Sequence, residues 1–189
     1  DAFAGSLVIG VNDAERIAPV DITVFHADWV ERSLIDNGLR SRLYITCTDF
    51  APLGPEVLRV PFVPLQNDNS DMLMQRFCSG AFVLEEVLFL SALNVARQVA
   101  RARGRRQTVY MVGFDFSPDA GTSEAINHDY APGGNANRFF HIVMQEFYFL
   151  NCMYMLKDSE LDVVHVGQRN FSHLTADGLN DRFHVSRDR

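Results

Sequence analysis

The sequence lacks the features that mark several large classes of protein. Its three cysteines, Cys47, Cys78 and Cys152, include no C-x-x-C pair, which indicates reduced thiols rather than a disulfide framework. The formal net charge of −7 argues against nonspecific nucleic-acid binding. The longest apolar run, 81–96, carries Glu85 and Glu86 and falls short of the roughly 20 residues that span a bilayer. These absences predict a cytoplasmic protein with no transmembrane segment and no nucleic-acid partner.

Two common site signatures are also missing. No G-x-G-x-x-G follows the first strand candidate, 6–12, so the usual dinucleotide-binding fold is not indicated. His128 and Asp129 are adjacent, but two further ligands at convincing spacing are lacking, and no structural metal is predicted. Internal repeats and low-complexity segments are absent as well.

What the sequence does contain is an alternation of short apolar strands and longer helices. Its 189 residues, 47% of them hydrophobic, suffice for one domain with a full core. The pattern predicts a Rossmann-like α/β fold with a mainly parallel sheet and helices on both faces. A Gly-rich lid loop is expected around 117–137 and a polar tail over 168–189. The predicted strands are 6–12, 21–28, 41–49, 107–116 and 161–167, with an edge strand starting near 59, and the main helices are 80–103 and 138–156.

Ligands of parallel α/β sheets bind beyond the carboxyl ends of the strands. Asn12 ends the first predicted strand, where its amide could contact a nucleobase or ribose or form a turn with Asp13. Asp28 ends the second. Asp115 ends the most apolar strand and is expected either to anchor a loop or to bind a ligand hydroxyl.

The stretch "QRFCSGAF" precedes the predicted helix 80–103. Ser79 could cap that helix, and the free N–H groups beside Gly80 could also bind a phosphate or carboxylate. Arg76 could add a charge-assisted contact to the same anion. His141, beside the predicted lid, is the candidate general base. The aromatic helix 138–156 carries more large apolar residues than one core face needs, so a homo-oligomer is expected through it.

In this order, "LVIGVN", "ITVFHAD", "MQRFCSGAF", "YMVGFDFS", "RFFHIVMQEF" and "LDVVHVGQRNFSHL" resemble the bacterial lipo-oligosaccharide sialyltransferases and their sialyltransferase-like relatives. The resemblance covers about residues 7–174. The family's Gly-rich first loop would precede residue 1, so the sequence is interpreted as an N-terminally incomplete domain. The family's lid tyrosines fall near Ser117 and Thr122, where this sequence has other residues.

The resemblance implies an inverting glycosyltransferase that moves sialic acid or a related sugar from a CMP-sugar donor to a surface-glycan acceptor in polysaccharide biosynthesis. It implies that Asn12, Ser79 and Gly80 hold the donor, that Arg76 lies near the acceptor and that His141 is the base. No cofactor is required by this chemistry, and the protein is expected in the cytoplasm or peripherally at the inner membrane.

Two alternatives stay open. A Mg²⁺-dependent pterin pyrophosphokinase-like enzyme would use Asp28 and Asp115 as magnesium ligands. A noncatalytic nucleotide-sugar-binding or assembly module would retain the fold without the lid tyrosines.

Overall fold

The computed structural model describes residues 5–65, 70–117 and 135–183. Most of the predicted lid, 118–134, lies outside the described residues, as does the end of the tail from 184. The described chain divides into two compact units, which are treated separately below: a first unit within Leu7–Val95 and a second unit built from residues 96–117 and 135–183.

The first unit contains a four-stranded parallel sheet in the order β1-β2-β3-β4. Its register pairs Val11 with Val24 and Val24 with Ile45. Two short strands, β5 and β6, form a separate parallel pair. The elements are β1 (Ile9–Val11), β2 (Ile22–Val24), α1 (Asp28–Asp36), β3 (Leu43–Thr46), β4 (Glu56–Arg59), β5 (Phe62–Val63), α2 (Ser70–Ser79), β6 (Leu84–Glu85) and the start of α3 (Leu88–Arg103).

The period of two along the strands places a different core on each face of this sheet. One face carries an aliphatic cluster that continues into α3, with Val24, Ile45, Leu88 and Val95 buried together. The other face carries an aromatic cluster packed on α1, made of Phe25, Val30, Leu34, Tyr44 and Phe50. In that cluster the rings of Phe25, Tyr44 and Phe50 meet edge to face. The four-stranded sheet is therefore covered by helix on both sides.

The second unit is built on a parallel pair of six-residue strands, β7 (Gln107–Val112) and β8 (Leu161–Val166). Between them in sequence comes α4 (Asn135–Leu156), and α5 (Ala176–Arg182) follows β8. Thr175 caps α5, because its side chain accepts a hydrogen bond from the Gly178 N–H at 3.1 Å. The predicted polar tail, 168–189, therefore contains a short helix.

The α/β class and the parallel pairing confirm the sequence prediction. The predicted helix 80–103 is wrong. The segment 80–103 is not a single helix, since α2 ends at Ser79, β6 follows, and α3 starts only at Leu88. The apolar run that predicted one long helix includes Ala81, Phe82 and Val83, yet it contains a short strand that pairs with β5. Apolar periodicity over so short a run does not separate strand from helix.

Candidate functional site

The carboxyl edge of the four-stranded sheet collects polar side chains from three neighbouring strands. Asn12 follows β1, His26 and Asp28 follow β2, and Thr46 ends β3, with Cys47 and Thr48 after it. The strand register brings these three positions side by side. This edge, called here the carboxyl edge, is where ligands of parallel α/β sheets bind. Two of the predicted site residues, Asn12 and Asp28, lie on it.

Asn12 occupies a backbone conformation that few side chains adopt. Its φ is +56°, and its N–H donates to the Val24 carbonyl at 3.0 Å. Asparagine tolerates the left-handed region better than most residues because its short side chain is polar. The neighbouring Asp13 is buried, and its carboxylate accepts from Ser33 at 3.1 Å and from Arg16 at 3.2 Å. Asp13 therefore links the end of β1 to α1. The side-chain amide of this segment at the carboxyl edge is that of Asn12.

His26 is the titratable ring of this edge. It lies half-buried against Phe62, with the two ring centroids 4.8 Å apart. Burial lowers the pKa of His26 below its ordinary 6.5, and the nearby Glu86 carboxylate and a hydrogen bond to the Glu86 backbone offset only part of that effect. The ring is therefore neutral near pH 7, so one of its nitrogens can accept a proton.

Asp28 and Cys47 lie beside His26. The Cys47 thiol donates to the His26 carbonyl at 3.8 Å, and burial, with a further contribution from the Asp28 charge, raises the pKa of this thiol. Cys47 is thus held as a thiol rather than a reactive thiolate. Asp28 is exposed and is the first residue of α1, where a carboxylate also stabilises the helix through its dipole.

A buried carboxylate links the strands that form this edge. Glu15 is 1% exposed. Its oxygens accept hydrogen bonds from the Ser41 hydroxyl at 2.6 Å, the Tyr44 hydroxyl at 2.9 Å and the Thr23 hydroxyl at 3.2 Å. The backbone N–H groups of Arg40 and Ser41 also donate to it. Glu15 therefore joins the β1–β2 crossover to β2 and β3.

Arg76 has a structural partner in this unit. Its guanidinium makes a bidentate pair with Glu85, through contacts of 3.0 and 2.8 Å, and Glu85 is 1% exposed. A buried carboxylate needs such a partner, because an unpaired charge in the interior is strongly unfavourable. The pair joins α2 to β6, and the predicted contact of Arg76 with a substrate stays a prediction.

The structure overturns the physical basis for an anion site at Ser79 and Gly80. Ser79 is the last residue of α2 and Gly80 follows it, so neither starts a helix. The Ser79 hydroxyl donates to the Arg76 carbonyl at 2.8 Å and accepts from the Ala81 N–H. Gly80 has φ +78°, the left-handed conformation that often follows a helix C-terminus. The C-terminal end of a helix carries partial negative charge, so its dipole does not favour a phosphate.

Asp115 belongs to the second unit. It is exposed and follows β7, which ends at Val112 rather than at 116 as predicted. The buried His165 on β8 anchors this turn: its Nε2 is 2.7 Å from the Phe114 carbonyl, and its Nδ1 is 3.0 Å from the Ser172 hydroxyl. The next residue, Phe116, has φ +49° and stacks on the His165 ring. Asp115 is thus presented by a well-anchored turn.

His141 lies in α4, and its side chain is outside the described residues. The structure therefore groups Asn12 and Asp28, places Arg76, Ser79 and Gly80 around the end of α2, and holds Asp115 in the other unit. Among the described residues, no three His, Cys, Asp or Glu side chains gather in a way that could hold a metal ion. Within the same ranges, no helix combines the length and apolar character that a membrane span requires.

Sequence reasoning missed His26, Glu85 and His165 as important residues. His26 is one of several residues near the end of a predicted strand, and nothing in the sequence distinguishes it from the others. Glu85 resembled an ordinary charged position in a helix, and His165 resembled a strand residue. Their burial, which gives each its chemistry, depends on packing against distant segments.

Comparison with protein-family models, with curated proteins and with solved structures gives no match to this chain.

Proposed function

We propose that this chain is a sialyltransferase-like glycosyltransferase domain that binds a CMP-sugar donor at the carboxyl edge of its four-stranded sheet. The observation that carries the proposal is that three polar residues follow the neighbouring strands β1 and β2 at that edge: Asn12, Asp28 and His26, a half-buried ring with a lowered pKa. An amide, a carboxylate and a neutral base at one edge of a parallel sheet suit a nucleotide sugar and a reacting hydroxyl. The motif order in the sequence gives independent support.

In this proposal each residue of the edge has a defined task. The Asn12 amide hydrogen-bonds to the cytosine or ribose, and the Asp28 carboxylate accepts hydrogen bonds from ribose hydroxyls. The acceptor hydroxyl oxygen attacks the anomeric carbon, the bond from that carbon to the phosphate oxygen breaks, and its electron pair leaves with CMP. A histidine takes the hydroxyl proton.

Two histidines are candidates for this base. His141 matches the family motif, whereas His26 lies on the carboxyl edge and is uncharged near neutral pH. The centroids of the His26 and Phe62 rings are 4.8 Å apart, and the exposed Phe62 ring could pack against the donor sugar or base. We therefore place the donor at the carboxyl edge in this proposal. Transfer assays on variants of both histidines identify the base.

The test is titration calorimetry with CMP, with a CMP-sugar and with Mg²⁺-ATP. We expect the cytidine nucleotides to bind and Asn12→Ala and Asp28→Asn each to weaken binding about tenfold, the loss of one hydrogen bond to a nucleotide. Asp36→Asn is the matched control, because Asp36 is an exposed carboxylate at the other end of α1. It should bind as the parent chain does.

Transfer assays then separate the two histidines. If His26 is the base, His26→Gln lowers kcat by a factor of about 10² to 10⁴ with little change in CMP affinity, and His141→Gln has little effect. The reverse result assigns the base to His141. Absence of binding to every cytidine nucleotide would refute the glycosyltransferase proposal, and binding of Mg²⁺-ATP alone would favour the pyrophosphokinase alternative.

A further inference from the structure

The second unit carries a concentrated basic surface at the end opposite to Asp115. It is formed where α3 ends and β7 begins, and where α4 ends and β8 begins. Both connections precede their strands, so they lie at the amino-terminal edge of the β7–β8 pair, whereas Asp115 follows β7. The exposed cations of this surface, called here the basic end, are Arg101, Arg103, Arg105, Arg106 and Lys157.

Hydrogen bonds hold these segments together. The Arg106 guanidinium donates to the Lys157 carbonyl at 3.1 Å, and the Gln107 N–H donates to the Glu160 carbonyl at 3.0 Å. The Arg103 guanidinium donates to the Gln107 side chain at 3.0 Å. These bonds bring the two connections together and orient the guanidinium groups of Arg103 and Arg106.

Carboxylates neutralise only part of this charge. Glu160 pairs with both Arg97 and Arg101, and Asp162 lies 4.0 Å from Arg106. Counting Asp158 as well, three carboxylates face the five cations of the basic end, and Glu160 is shared with the buried Arg97. This excess of positive charge stands out in a chain whose acidic residues outnumber its basic ones by 24 to 17. Stabilisation of the α3 dipole accounts for Arg101 and Arg103 in the last turn, but Arg105 and Arg106 lie beyond the helix.

Exposed apolar side chains adjoin these cations. Tyr154, in the last turn of α4, is 82% exposed and lies one turn before Lys157, whose N–H donates to the Tyr154 carbonyl. Met155 and Leu150 are also exposed. An aromatic side chain with a polar tip beside arginines is the composition found at membrane–water interfaces.

We propose that the basic end docks on an anionic phospholipid bilayer. The arginines and Lys157 would contact lipid phosphates, while Tyr154 and Met155 would enter the headgroup layer. Exposed aliphatic groups favour a bilayer over a nucleic acid, whose phosphate backbone gains little from them. Docking through this end would direct the turn that carries Asp115 away from the lipid. The inference does not depend on the proposed transferase chemistry.

Vesicle co-sedimentation of the full chain tests the proposal. We expect binding to vesicles of phosphatidylglycerol and phosphatidylcholine, no binding to phosphatidylcholine alone, and loss of binding at high salt. Each cation near a charged bilayer contributes roughly fivefold to the partition coefficient, so Arg103→Gln with Arg105→Gln should weaken it roughly 25-fold. Tyr154→Ser should weaken it further. All three side chains are exposed, so the variants should fold normally.

The matched control is Arg32→Gln with Arg42→Gln, which removes the same charge from exposed positions in the first unit. Binding within twofold of the parent chain is expected for this variant. An equal loss in the control variant would overturn the proposal, because net charge alone would then explain the binding. So would binding to both vesicle types alike, or binding to transfer RNA but not to vesicles.

Discussion

The Arg76–Glu85 pair allows the sharpest test of how a motif residue acts. The sequence motif predicts that Arg76 contacts substrate, whereas the structure gives it a bidentate contact with a carboxylate that is 1% exposed. Replacing Arg76 by Ala would leave the Glu85 charge buried without its cation. Breaking a buried pair in this way costs about 3–5 kcal/mol. We therefore expect the free energy of unfolding of Arg76→Ala to fall by that amount.

Urea denaturation followed by circular dichroism measures this change. The combined variant Arg76→Met with Glu85→Leu should recover most of the loss, because removing both charges leaves no buried ion. Arg42→Ala, which truncates an exposed arginine, should change stability by less than about 0.5 kcal/mol.

The opposite pattern would refute this reasoning. If Arg76→Ala unfolds at the parent's urea concentration but loses CMP-sugar binding or transfer, Arg76 acts on substrate and its contact with Glu85 contributes little. A double-mutant cycle over the two positions gives the coupling energy directly, and a value near zero would lead to the same conclusion.

Two further predictions concern the first unit. Glu15→Ala should lower the free energy of unfolding measured in urea by about 3–5 kcal/mol, because the Tyr44, Ser41 and Thr23 hydroxyls would lose the buried carboxylate to which they donate. Unchanged stability would contradict the proposed role of Glu15 in holding these segments together. Stability should fall as the pH drops below 6.5, because the unfolded chain protonates His26 before the folded chain does, and the contribution is lost progressively down to the lowered folded pKa. In His26→Gln, the urea concentration at the unfolding midpoint should vary less with pH between pH 7 and that pKa. An unaltered pH profile would show that His26 is not held neutral by the fold.

The sequence predicted the α/β class and the carboxyl edge because both depend on local pattern. Strands such as β2 and β3 are short β-branched and aromatic runs, and the polar residues directly after them mark the edge whatever the rest of the chain does. Helix α1 has a comparable local signal, since its apolar residues follow helical spacing and Gly38, with φ +72°, follows its end.

The secondary structure of residues 80–87 could not be predicted from local pattern. Ala81, Phe82 and Val83 fit a buried helix and a buried strand equally well, and the choice depends on the pairing of β6 with β5, about 20 residues earlier in the chain. Glu85 lies in β6, is 1% exposed and pairs with Arg76. A motif comparison assigns Arg76 by its neighbours in sequence and does not reveal its pairing with Glu85, nine residues later.

His26 connects the stability of the first unit to its proposed chemistry. A base must be uncharged before it can take a proton, and burial beside Phe62 keeps the ring uncharged at a pH where an exposed histidine would be partly protonated. The same burial makes the folded state resist protonation, so acid weakens the fold and removes the base over one pH range. If His26 is the catalytic base, kcat/KM should decline with acid at a pKa below 6.5, whereas a base that is exposed to solvent would give a pKa near the ordinary value. The pH dependence of transfer by the parent chain therefore tests the assignment of the base without any substitution, and its agreement with the pH dependence of unfolding would tie both effects to this one ring.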